Sequence, residues 1–193
     1  MDNSNQKHKS FLFFFILFIA STPFAFAEDG NLKKAGDGTY FTVYCQAGID
    51  PIDIATSVDI SSSYLLSNNN PNSGEYQILP RILDAIFLEA SDILDIHIYS
   101  FKGNIKFYRS LNELKSVYLK LFNGELKAPS FYVYDTNTVY ISTENIRLGI
   151  LGHEIAHAII GNYFVVLPPT KIQEVLSGYV EYQLNKKSRS GLK

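Results

Sequence analysis

Residues 146–160 read IRLGILGHEIAHAII. Leucine, isoleucine, alanine and glycine fill every position except Arg147, His153, Glu154 and His157. A helix that is apolar nearly all round belongs in a core, and the pattern predicts one from about Thr143 to Ile160, stopped by Gly161-Asn162. Burying two imidazoles and a carboxylate in such a helix is costly unless something compensates, and a metal ion is the simplest compensation. Residues i and i+4 lie one above the other on a helix, so His153 and His157 can bind one ion from a single face. Glu154, displaced about 100° around the axis, is poorly placed as a direct ligand. It can instead take the proton of a water bound to the metal.

A catalytic zinc takes three protein ligands and keeps one position open. No histidine follows His157, and the single cysteine, Cys45, lies far upstream. The remaining candidates are Glu174 and Glu181. They sit on one predicted helix, opened by Thr170-x-x-Gln173 as a capping box and ending near Leu184. Seven residues separate them, about 10 Å at 1.5 Å per residue, so one ion cannot take both. A short Pro168-Pro169 return brings the early turns of this helix beside the end of the preceding one, which favours Glu174. Glu181 then faces solvent or supports a ligand from behind.

Working outward, a hairpin is expected from Ser130–Asp135, a turn at Thr136-Asn137, and Thr138–Ser142. Upstream, Tyr40–Cys45 alternates as a half-buried strand, with Cys45 a small buried hydrophobe on the face of Phe41 and Val43. Asp50-Pro51 caps a helix to about Val58, and the Ser/Asn-rich stretch 61–75 reads as a surface loop. A helix over Pro80–Leu94 is followed by a strand at Ile96–Tyr99, with Ile105–Tyr108 its expected partner. His97 on that strand projects opposite to Ile96 and Ile98. Ser110-x-x-Glu113 caps a helix that Asn123-Gly124 ends. Residues 28–38 read as a loose lead-in and 186–193 as a frayed basic tail. Helices and strands do not strictly alternate, so the fold class is α+β, with a small mixed or antiparallel sheet.

The first 27 residues read differently. Lys7, His8 and Lys9 precede the apolar run Phe11–Ala20, and Ala25-Phe26-Ala27 closes the segment. A basic start, a short apolar centre and an A-x-A site describe a secretory signal peptide cleaved after Ala27; the apolar run is shorter than the ~20 residues of a spanning helix. The chain of 193 residues carries 17 Lys+Arg and 19 Asp+Glu. Removing residues 1–27, with Asp2, Lys7 and Lys9, leaves a single domain over 28–193 with 15 basic and 18 acidic residues. A weakly acidic domain has no basic patch for nucleic acid, and no second stretch is apolar and long enough to cross a membrane. The expected location is periplasmic or secreted.

His153-Glu154-x-x-His157 together with Glu174, Tyr179 and Glu181 resembles the gluzincin branch of the zincin metallopeptidases. The downstream run Glu174-Val175-Leu176-Ser177-Gly178-Tyr179-Val180-Glu181 is similar to the aminopeptidase-type element Glu-Gly-x-Ala-x-Tyr-x-Glu. Where the thermolysin type has an aspartate, this chain has Gly178. The resemblance covers residues 130–184. It implies a zincin-like fold, Zn2+ on His153, His157 and Glu174, Glu154 as the general base, and peptide or protein substrate paired along the edge strand Ser130–Tyr134. Gluzincins usually have a further domain supplying an oxyanion donor; here Tyr179 and Tyr163 are the nearby candidates. Two functions follow: an exported zinc peptidase, or a zinc-bearing binding or structural module with little turnover. An unpaired Cys45 thiolate closing the zinc position would be a third element, an inhibitory one.

Overall fold

In a computed structural model, which describes residues 31–58, 78–144 and 146–190, Phe41, Val43 and Cys45 bury one face of a strand. That strand, β2 (Phe41–Gln46), lies between β1 (Leu32–Asp37), antiparallel to it, and β3 (Gly103–Tyr108), parallel to it. The hairpin strands are β4 (Ser130–Val133) and β5 (Thr138–Ser142). The sheet runs β1-β2-β3-β5-β4, with β3 and β5 parallel and β4 antiparallel at the edge. This is a mixed α+β architecture: a five-stranded mixed sheet and five α-helices among the described residues. The proposed signal peptide and the expected loop 61–75 lie outside the described residues.

Strand alternation assigns the two faces. Phe41, Val43, Ile105, Phe107, Val139 and Ile141 form the main core with helices packed on one side. Those helices are α1 (Pro51–Ser57), α2 (Ile78–Leu94), α4 (Leu148–Tyr163) and α5 (Thr170–Ser190). On the other face, α3 (Leu111–Phe122) brings Leu114 and Val117 onto Tyr108 and Tyr140. The caps at two helices hold as read from sequence: Asp50 accepts from Ile52 N, and Ser110 and Glu113 form a reciprocal capping box closed at the far end by Asn123 in the left-handed region.

Six expectations are corrected. Residues 28–38 are not all lead-in, because Leu32–Asp37 pairs as β1. It is an edge strand with exposed lysines and a register shift between Lys34 and Gly36, a way of blunting an edge that erases alternation. Ile96–Tyr99 is not a strand: β2 and β5 occupy both edges of β3, so no hairpin partner fits. Thr143 stays tied to the sheet through its N–H on Tyr108 O, and α4 starts only at Leu148.

Gly161-Asn162 does not stop α4, which runs on to Tyr163. A Cβ at Gly161 would lie 2.8 Å from the Tyr134 ring, and the Asn162 amide donates to Asn137 Oδ1 and Tyr132 Oη. These two residues dock the hairpin turn instead of ending a helix. Lastly, α5 extends to Ser190, with Lys187 paired to buried Glu89 on α2. Its start differs too: Thr170 lies inside the helix, and the Gln173 side chain donates to Pro168 O instead of completing a box.

Candidate metal centre

Helices α4 and α5 pack antiparallel, and their closeness comes from a missing side chain. A Cβ at Gly152 would lie 2.1 Å from Leu184 Cδ1. With that glycine in place, Val180 and Leu184 press onto α4, and the α5 turns before them reach the histidine face.

His153, His157 and Glu174 come together there. The two Nε2 atoms are 3.2 Å apart. Glu174 spans both, Oε2 at 3.5 Å from His153 Nε2 and Oε1 at 3.4 Å from His157 Nε2. A zinc ion with bonds of about 2.0–2.1 Å in a tetrahedron holds its ligand atoms about 3.3–3.4 Å apart. The two imidazole nitrogens lie about one such edge apart and each has a Glu174 oxygen near that distance, a different oxygen for each ring, and two imidazoles with one carboxylate are a donor set zinc accepts. The three residues therefore fit the group. The histidine side chains are 22% and 14% exposed and the Glu174 side chain 55%, so the cluster opens to solvent past the carboxylate.

The tautomers follow from the neighbours. His153 Nδ1 lies 3.1 Å from Glu181 Oε2. A carboxylate there accepts a hydrogen bond from Nδ1–H and so leaves Nε2 with its lone pair toward His157 and Glu174. Burial lowers the His157 pKa, with His153 adding to the effect and Glu174 opposing it, which favours the neutral ring. Glu181 thus supports the His153 ring from behind. Only the phase of α5 against α4 shows it, so spacing alone left its role open.

Glu154 lies on the buried side of α4, 6% exposed. Burial raises its pKa to about 7, against the Ser130 hydroxyl and His153, which lower it. Ser130 Oγ donates to Glu154 Oε1 at 2.6 Å. One carboxylate oxygen is thus held by the first residue of the edge strand. Ser130 carried no signal beyond its place in the hairpin.

The other singled-out residues lie elsewhere. Tyr179 is half exposed on the outer side of α5, its hydroxyl accepting from Gln183. Tyr163 is exposed at the end of α4 against Phe164. His97 is exposed in a connection, 3.9 Å from Asp92 Oδ1. Cys45 is buried within β2, its thiol pushed up to about 12 by burial and Asp50, which is the bland expectation and not that of a thiolate ligand. Among the described residues, His153, His157 and Glu174 form the group of this kind that can hold a metal, and no helix is long and apolar enough to cross a membrane. No protein-family model matches the chain, and no curated protein or solved structure matches it either.

Proposed function

We propose that this protein is an exported zinc metallopeptidase of gluzincin type, with a zincin-like arrangement of active helix, edge strand and downstream glutamate. The observation that carries the reading is the convergence of His153, His157 and Glu174, with one donor atom from each within 4.8 Å of the others, and Glu154 buried on the same helix. Zn2+ is the ion that donor set suits, and when bound it supplies Lewis acidity toward a scissile carbonyl and toward water. His153, His157 and Glu174 would hold it, and Glu181 keeps the His153 lone pair turned inward. Glu154 takes a proton from the attacking water on the oxygen that Ser130 leaves free, then returns it to the leaving amine. A peptide or protein substrate pairs its backbone with β4, Ser130–Val133, the last strand of the sheet.

The test is zinc content by atomic absorption, followed by hydrolysis of a mixed peptide library with and without chelator. Chelator-sensitive cleavage is expected, and Glu154→Gln is expected to retain zinc while losing turnover by about 10²–10⁴-fold. Unchanged turnover in that variant rejects Glu154 as the base. Zinc without chelator-sensitive cleavage makes the protein a zinc-bearing binding module. Export is tested on the intact mass of the protein recovered outside the cytoplasm, which should lack residues 1–27.

A further inference from the structure

The hydrogen bond from Ser142 N–H to Pro129 O sets the phase of the β4–β5 ladder. Bonded and non-bonded pairs alternate in an antiparallel ladder. Phe131 and Val133 therefore direct their backbone groups at β5, and Ser130 and Tyr132 direct theirs outward. Among the described residues no strand lies beyond β4. The side chains alternate too: Ser130 and Tyr132 reach Glu154 and Asn162 on α4, whereas Phe131 and Val133 pack on the α3 side. An extended peptide bonded to Ser130 and Tyr132 follows the same alternation, whichever way it runs. Its residue opposite Ser130 faces α4 beside Glu154, and the neighbouring residue, opposite Phe131, faces the α3 side.

On that side a row of rings crosses the sheet. Tyr108 on β3 stacks on Tyr140 on β5, with centroids 6.3 Å apart and planes 14° from parallel. Tyr140 stacks on Phe131 at 4.7 Å and 5°. This second separation is the spacing of neighbouring strands, about 4.7–4.9 Å, and the two residues are direct cross-strand partners. The row ends at Phe131, which is only half-buried. From α3, Tyr118 and Phe122 meet Phe131 edge-on, at 5.0 and 6.0 Å, and Phe122 is itself 49% exposed. A side chain opposite Phe131 on an added strand stands one strand spacing further along this row.

We propose that the row sets the substrate class of the site: the peptide residue next to the one facing Glu154 is aromatic, and its ring continues the stack on Phe131. The inference rests on the reading of β4 as the substrate-pairing strand. An aliphatic side chain at that position gains burial without stacking, and a charged one is left against apolar rings. Phe131 is thus a specificity-determining residue. Because the adjacent Ser130 holds Glu154, the preferred aromatic residue falls at a fixed place relative to the cut bond.

Fluorescence anisotropy tests this with the full-length Glu154→Gln protein, which reads binding without turnover. The probes are fluorescein-labelled threonine heptapeptides whose central residue is Phe, cyclohexylalanine, Ala or Lys. Phe is expected to bind about 10-fold tighter than Ala, with cyclohexylalanine between them and Lys weakest. Phe131→Leu keeps an apolar side chain and removes the ring, so the Phe and cyclohexylalanine peptides are expected to bind it equally. If that variant folds poorly, the peptide series on the unaltered strand still decides. Equal affinity for Phe and Ala, or for Phe and cyclohexylalanine, overturns the proposal, as does a lack of binding by every peptide. A preference for Phe over cyclohexylalanine that survives Phe131→Leu overturns Phe131 as its source. In the wild-type protein, chelator-sensitive cleavage of the mixed library with no aromatic residue at a fixed distance from the cut overturns this inference and leaves the peptidase reading standing. Aromatic-selective binding without any such cleavage rejects the peptidase reading and leaves the aromatic position standing.

Discussion

His153 is held on both sides of its ring: Nε2 toward His157 and Glu174, Nδ1 toward Glu181. The two glutamates on α5 therefore have separable effects. Glu174→Ala removes one of the three proposed ligands and is expected to abolish zinc retention through gel filtration. Glu181→Ala keeps the ligands but frees the ring, and the expected loss of zinc affinity is about 10–100-fold in chelator competition. Equal losses in the two variants would mean that the ligand assignment is wrong. The adjacency of His153 and His157 was legible from spacing alone, because a helix converts i and i+4 into neighbours. Glu181 and Ser130 were not, because their roles depend on how two elements are phased against each other, which no local pattern encodes. Cys45 was legible as a hydrophobe. With its pKa pushed up to about 12 by burial, the thiol stays neutral at any pH below that, and the neutral form is the unreactive one. Alkylation of the native protein at pH 8 is expected to be at least about 100-fold slower than in denaturant, read by mass spectrometry.

Elements were legible where an amphipathic period or a cap marks them, and obscure where the tertiary context sets the boundary. Helices α1, α2 and α3 begin and end close to their sequence signals. At α4 the signal Gly161-Asn162 misled, because both residues serve the hairpin: the glycine by making room for Tyr134, the asparagine through its amide. Strand β1 was missed because its lysines and register shift remove the alternation that identifies a strand. The element pair that matters most for the site is α4 against α5, and Gly152 controls it. Gly152→Leu would force a side chain into the space of Leu184 Cδ1, only 2.1 Å from where a Cβ would stand. The expected cost is about 3 kcal/mol of stability in denaturant unfolding, with weaker zinc binding because Glu174 and Glu181 move away with α5. A stable variant with native zinc affinity would show that the helix spacing does not position the glutamates.

At the scale of the whole molecule, the site is assembled from segments that pair only through long-range contacts. The parallel ladder β2-β3-β5 sets the frame, α4 carries two of the proposed ligands, and α5 brings the third back across it. The α+β class followed from the order of elements, but the parallel centre of the sheet did not, since no local pattern distinguishes a parallel partner from an antiparallel one. Because both ligand helices belong to the main core, an ion that ties them is linked to global stability. A ligand that binds only the folded chain stabilises it by RT ln(1 + [L]/Kd), about 2.7 kcal/mol at a hundred times Kd. For a domain of this size each kcal/mol moves Tm by about 2–4 °C, so saturating zinc is expected to raise Tm by roughly 5–11 °C over metal-stripped protein in scanning calorimetry. Glu154→Gln should keep that increment, because Glu154 is no ligand, whereas His157→Ala should lose it. An increment that survives His157→Ala would place the stabilising ion somewhere other than the two-helix cluster. An increment lost in Glu154→Gln would make that carboxylate part of the ligand set instead of the base beside it.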